Sequence, residues 1–273
     1  MDRSWRAVLT TPVGLWTVLG GVGVGFCLLT IAAFSGRFGW LLELTSHFRV
    51  QYLACLGALA LGHALGRRWR MAVLFALFVG LNLWVVAPYL LSRPAASDPS
   101  GRVLRLVLLN VHTENTRYEL VRALLRDTDP DVLILEEVDP RWLVELRDLR
   151  TTHPYAVEEP RNDNFGMALF SKHPLRNART VYLGDAGVPS VVAEDLNVTP
   201  CSPRFERLLR ETGLTDTARG RGLQGTWPVG LPWMRIPIDH CLISESFRVV
   251  NRKVGPAVGS DHFPLLVDVE LAR

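Results

Sequence analysis

Residues 13–34 of this 273-residue chain contain no charged side chain. Wound as an α-helix at roughly 1.5 Å per residue, such a run of about 22 residues covers the hydrocarbon layer of a bilayer, about 30 Å thick. Lipid satisfies no backbone hydrogen bond, so a chain segment inside it is restricted to a helix or a closed barrel. Residues 71–91 repeat the pattern, and residues 50–65 form a shorter apolar run that carries Gln51, Tyr52 and His63. The sequence therefore predicts a membrane region over 1–91 with three spans, 13–34, 50–65 and 71–91. A cleaved signal peptide is the rival reading, but it requires a shorter apolar core with small residues at a cleavage site, and it does not account for the later runs.

Orientation is expected to follow the basic residues, which resist translocation. Arg3 and Arg6 precede the first run, and Arg67, Arg68 and Arg70 cluster between the second and third, whereas the intervening loop holds Arg37 and Arg49. Three spans then place the N-terminus in the cytoplasm and everything after about residue 100 outside it, in a multi-pass protein of the cell membrane whose first partner is the lipid bilayer. Trp5, Trp40 and Trp69 fall at the expected water boundaries, where amphipathic rings accumulate. The net charge of +3 is accounted for by arginines flanking the spans, so it does not argue for nucleic-acid binding. Cys27 and Cys55 lie in apolar runs and Cys201 and Cys241 in the soluble part, with no spacing that implies a disulfide framework.

Residues 92–101, rich in Ser, Pro and Ala, read as a linker, and residues 102–273 as a separate water-soluble domain. Within it, residues 103–111 form a Leu/Val run expected to be a buried strand. Residues 118–127 place Leu120, Val121, Leu124 and Leu125 on one helical face, and residues 131–135 form a second short β-rich run after Pro130. Strand, helix and strand in this order make a crossover unit. Further apolar runs at 167–170, 191–193, 236–243 and 265–269 extend the pattern to an α/β layered domain.

Polar residues at strand ends are where such a domain places its chemistry. Here they are Asn110 after the first strand, Glu136 and Glu137 after the second, Asp195 and Asn197 after 191–193, Asp239 and His240 within 236–243, and Ser260, Asp261 and His262 before the last strand. Carboxylates and amides suit a hard cation, and His beside Asp suits proton transfer. Taken singly, each has an ordinary alternative as a turn, a cap or a solvated pair.

In order and context these pieces resemble the endonuclease/exonuclease/phosphatase superfamily. They are Leu108 to Val111, Pro130 to Val138, Asp195-Leu196-Asn197, Ile238-Asp239-His240 and Gly259 to Pro264, supported by Phe165 to Pro174 and Thr226-Trp227-Pro228. Three spans ahead of such a domain resemble a bacterial, membrane-attached branch. The resemblance implies a four-layer α/β sandwich of two sheets covered by helices, and hydrolysis of a phosphate ester assisted by Mg²⁺ or Mn²⁺. It implies Glu137 and Asp261 as metal ligands, with Asn110 supporting metal and phosphate and Trp227 on a substrate-side loop. Asp195 and Asn197 would orient water and stabilise the charged phosphorane, and His262 would handle the proton with Asp239 as its carboxylate partner. No protein partner is expected, and the substrate is expected to be a phosphate ester of unspecified class.

Two departures from the family pattern stand out. Glu194 replaces a Gly before Asp195, where a Gly permits backbone conformations a side chain hinders. Only about 20 residues separate the runs at 167–170 and 191–193, too few for a further strand, a helix and their turns, so the sandwich is expected to be incomplete, with a splice in 180–189. The alternative to an active phosphodiesterase is thus a non-catalytic homologue that still binds metal or phosphate, and a third reading is a membrane protein whose domain serves contacts alone.

Overall fold

The computed structural model describes residues 14–91, 102–175 and 191–272. Contacts divide the chain into two compact units, Met1–Val86 and Ala87–Arg273.

The first unit is helical: α1 (Leu15–Phe34), α2 (Trp40–Leu44), a 3₁₀ turn (Thr45–Phe48), α3 (Arg49–Leu65) and α4 (Trp69–Leu90). Three helical stretches, Leu15–Phe34, Trp40–Leu65 and Trp69–Leu90, are long and apolar enough to cross a membrane. The middle one starts at Trp40 rather than at residue 50. Its polar residues Glu43, Ser46, His47 and Arg49 are buried, so they continue the helical path where the sequence reads as a loop. Many large apolar side chains point outward instead, among them Leu28, Leu61, Leu77 and Trp84. An outward apolar surface with buried polar groups is the arrangement a lipid solvent favours. Inside the unit, Asn82 donates to the Thr30 hydroxyl at 2.9 Å, and the Arg49 guanidinium lies over the Phe34 ring at 4.1 Å.

The second unit contains two sheets. In chain order its elements are β1 (Val103–Asn110), α5 (Tyr118–Thr128), β2 (Val132–Glu136), α6 (Pro140–Glu145), α7 (Leu149–Thr152), β3 (Tyr155–Glu159) and β4 (Met167–Ser171). They continue with β5 (Val191–Asp195), α8 (Pro203–Thr212), β6 (Thr215–Asp216), β7 (Asp239–Ile243), β8 (Phe247–Val254) and β9 (Leu265–Leu271). The larger sheet has six strands in the order β3-β4-β2-β1-β9-β8, and the smaller has three, β5-β7-β6.

Strand alternation sorts the apolar residues into layers. Val107 and Leu109 of β1, Leu133 and Leu135 of β2 and Phe170 of β4 pack against Val121, Leu124 and Leu125 of α5 and Trp142 of α6. Leu106 and Leu108 face the other way and, with Leu265, Val267 and Val269 of β9, meet Ala193 of β5 and Cys241 and Ile243 of β7. On the far side of the smaller sheet, Leu242 packs under Phe205 and Leu209 of α8. Helix, sheet, sheet and helix give the four expected layers. Among the described residues β5 forms one edge of the smaller sheet. The expected splice at 180–189 lies outside the described residues. Cys201 and Cys241 are both buried, and neither is in a disulfide.

Candidate active site

Register brings the polar strand ends to one end of both sheets. β1 and β2 run parallel with Asn110 opposite Glu136, so Asn110 and Glu137 leave the sheet side by side. β9 is antiparallel to β1, with Leu265 opposite Leu108, which returns the turn at Ser260, Asp261 and His262 to the same end. In the smaller sheet Asp195, the last residue of β5, lies opposite Asp239, the first of β7.

His262 is the centre of this cluster. Its Nδ1 lies 3.1 and 3.2 Å from the two Asp239 carboxylate oxygens, and its Nε2 lies 3.6 Å from Asp195 Oδ2. Burial works against the charged imidazole, but the hydrogen bond and charge of Asp239, with Asp195 and Asp261 nearby, outweigh it and raise the His262 pKa above its usual value. Burial, then the like charge of Asp239, pushes Asp195 up to about 6, although the Asn197 N–H, the Asn110 side chain and the His262 charge oppose the shift. Ligand-type atoms of Asp195, Asp239 and His262 lie within 4.8 Å of one another. His262 therefore stands between the two carboxylates, hydrogen-bonded to Asp239 and in ion-pair range of Asp195.

The second half of the site is more open. Glu137 Oε1 accepts from Asn110 Nδ2 at 2.9 Å and Oε2 from the Thr113 N–H at 3.2 Å. Asp261 Oδ2 accepts from the Trp227 indole N–H at 3.0 Å. This bond commits the polar edge of Trp227, expected on the substrate side, to holding a carboxylate; only its ring face remains for a ligand. The His112 side chain stands between the acids, its Nδ1 3.4 Å from Asp261 Oδ1 and 3.7 Å from Glu137 Oε2. The Glu137 side chain is 19% exposed and that of Asp261 46%, so two carboxylates fixed by neutral donors and still reached by water offer oxygen ligands of the kind a hydrated divalent cation takes.

Several supporting residues were not singled out for these roles from sequence. Glu136 sits on the buried side of β2, and both its carboxylate oxygens lie 2.9 Å from the Asp195 N–H, which ties the two sheets together. Burial drives its pKa well above the usual carboxylate range against that hydrogen bond, with Asp239, Asp195 and Glu194 adding to the rise. Ser260 donates to the Asn110 carbonyl at 2.7 Å and accepts from the His262 N–H at 3.0 Å, joining β1 to the histidine turn. The Thr226 hydroxyl accepts the Asp239 N–H at 3.3 Å. Gly259 has φ +92°, and a Cβ there would stand 2.6 Å from Asn115 Oδ1, so glycine is required to start the turn.

His112, Glu137 and Asn197 adopt left-handed backbone with φ of 60°, 57° and 53°. Non-glycine residues hold that conformation where surrounding bonds impose it. Here the His112 N–H donates to Asn110 Oδ1 at 2.9 Å and the Asn197 N–H to Asp195 Oδ1 at 3.0 Å. The Asn197 side chain itself is exposed. Glu194, at the expected glycine position, lies inside β5 and is not among the residues of positive φ, so its side chain meets no backbone obstacle there. His240 points to the opposite face of β7, its Nε2 donating to the Val198 carbonyl at 2.8 Å and its ring packing on Phe205. It takes no part in the site.

The sequence profile described as Endonuclease/Exonuclease/phosphatase family matches residues 107–262. An endonuclease/exonuclease/phosphatase from Bacteroides vulgatus superposes with a TM-score of 0.50 at 17% identity, over 63% of this chain and 100% of that one. The human Nocturnin catalytic domain, in a structure with bound sulfate, superposes with a TM-score of 0.50 at 16% identity, over 62% of this chain and 95% of its own. At these identities the likeness concerns the fold. No curated protein matches the sequence.

Proposed function

Because the chain belongs to the endonuclease/exonuclease/phosphatase family, we propose that it is a membrane-anchored, divalent-metal-dependent phosphoesterase that hydrolyses phosphodiesters. The observation that carries this reading is the placement of His262 between Asp239 and Asp195, beside the Glu137 and Asp261 carboxylates. Glu137 and Asp261 would hold Mg²⁺ or Mn²⁺, which when bound supplies Lewis-acid polarisation of the phosphoryl group and offsets the charge that builds on its oxygens.

The remaining steps belong to the protein. Asp195, with a pKa near 6, is an acceptor for the proton of an attacking water at neutral pH, and Asn197 lies two residues on at the same strand end. As the water oxygen bonds to phosphorus and the ester oxygen departs with the bonding pair, that proton passes to Asp195. His262, whose hydrogen bond to Asp239 favours the charged ring, donates a hydrogen bond to a non-bridging oxygen of the phosphorane. Asn110 adds an amide that links Glu137 to Asp195, so both halves of the site move as one. The family includes enzymes acting on several phosphate esters, and fold does not choose among them.

A membrane anchor is supported by the three long apolar helices, and the arginine distribution supports a cell-membrane protein whose domain faces away from the cytoplasm. The test is turnover of bis-p-nitrophenyl phosphate by the full chain in detergent. Activity should require Mg²⁺ or Mn²⁺, vanish with a chelator, and fall about 100-fold or more in Glu137→Ala and His262→Ala. Equal turnover in the parent and both variants would rule the reading out.

A further inference from the structure

We infer that His112 is a third protein ligand of the divalent cation held by Glu137 and Asp261, and that its imidazole tilts the site toward transition ions such as Co²⁺ over Mg²⁺. The inference rests on the metal-dependent reading above and deepens it.

The geometry is direct. His112 Nδ1 stands 3.4 Å from Asp261 Oδ1 and 3.7 Å from Glu137 Oε2. Two ligand atoms on one small cation lie about 3–4 Å apart, so the ring nitrogen occupies a ligand's position relative to each carboxylate. The backbone enforces this aim: His112 has φ 60°, and its N–H is held by Asn110 Oδ1 at 2.9 Å, the same side chain whose amide holds Glu137. The next residue, Thr113, donates its N–H to Glu137 Oε2 and its hydroxyl to the Glu137 carbonyl at 3.1 Å, fixing the two loops to each other. Asp261 is fixed independently by Trp227. A nitrogen donor favours later first-row ions, whereas Mg²⁺ prefers oxygen ligands and water.

The experiment titrates metal-stripped full chain in detergent with MgCl₂, MnCl₂ and CoCl₂, following binding by calorimetry and the visible absorption of bound Co²⁺. The variants are His112→Gly and His112→Asn, both of which accept positive φ, with Glu137→Ala as reference. The parent should bind Co²⁺ more tightly than Mg²⁺. Both histidine variants should lose about tenfold or more in Co²⁺ affinity, with a shifted Co²⁺ absorption band, while Mg²⁺ affinity changes less than about threefold. Unchanged Co²⁺ affinity and spectrum in both variants, with binding still lost in Glu137→Ala, would overturn the role of His112 and leave the metal site standing. If Glu137→Ala bound all three ions as the parent does, the metal-site reading itself would fail, and this proposal with it.

Discussion

Two carboxylates face one imidazole, and their unequal hydrogen bonding divides the labour between them. Asp239 takes the Nδ1 bond, so it stabilises the protonated ring, while Asp195, at 3.6 Å from Nε2, is left with burial and a like charge that raise its pKa to about 6. Removing the Asp239 charge acts on both neighbours in one direction. The like charge that raises Asp195 is gone, so its pKa falls; the opposite charge that raises His262 is gone, so that falls too. If activity needs Asp195 ionised and His262 protonated, the rising and falling limbs of the pH profile report these groups in turn. The Asp239→Asn variant should therefore show both limbs displaced to lower pH and a kcat about 100-fold down. A profile of kcat/KM from pH 4.5 to 9 checks this, and limbs that stay in place would remove Asp239 from the coupling.

At the scale of elements, the site is held by close approaches between strands and the loops that follow them. The tightest is Gly166, just before β4, where a Cβ would stand 1.9 Å from the Val138 carbonyl oxygen and 2.6 Å from the Arg161 nitrogen. Val138 follows Glu137, and its N–H donates to the Gly166 carbonyl at 3.0 Å. Gly166→Ala must displace that backbone, so it should destabilise the domain by about 1–3 kcal/mol and disturb Glu137 with it. Melting of the variant against the parent, alongside metal affinity, measures both effects; unchanged values would show that the loop yields freely. What the sequence disclosed at this scale follows burial. β1, β2 and β9 are central and packed on both faces, and each carries a continuous Leu, Ile and Val stretch, Leu106–Leu109, Val132–Leu135 and Leu265–Val267. β8 and β3 are the edges of the larger sheet, and Arg248, Arg252 and Lys253 or Glu158 and Glu159 interrupt their apolar residues, which hides them from a search for apolar runs. α8 carries its end signals in the sequence: Ser202 caps it, Pro203 opens it and Gly213 closes it in a left-handed conformation. The site residues Asn110, Glu137, Asp195, Asp239, Asp261 and His262 were legible as a family pattern, and register gathers them at one end. The parts played by His112, Glu136 and Ser260 were not, because each depends on a side-chain contact between segments distant in sequence.

For the whole molecule, the arginine distribution predicts the side of a membrane on which residues after 100 would stand, and the burial of one arginine changes the count. Only charges that remain near water oppose translocation. Arg49 is 2% exposed, with its guanidinium over the Phe34 ring and 3.5 Å from Asn82 Oδ1, so it belongs to the bundle rather than to the loop. That leaves Arg37 as the basic residue between the first two spans, against Arg67 and Arg68 between the second and third and Arg70 in the first turn of the third. The asymmetry is therefore larger than the sequence count suggests, and three crossings should carry residues after 100 out of the cytoplasm. A periplasm-dependent phosphatase reporter fused after Arg273 should be active in a bacterial host, and a fluorescent reporter that matures only in the cytoplasm should be dark. The same loop offers a control, because Arg67→Glu together with Arg70→Glu removes the retaining charge without touching Arg68, which lies over the Trp16 ring at 5.0 Å. That double variant should yield a mixed population in which both reporters score. An active cytoplasmic reporter on the parent chain would mean either that one of the three helices does not cross or that the bundle inserts with its N-terminus outside, and residues after 100 would then lie inside the cell.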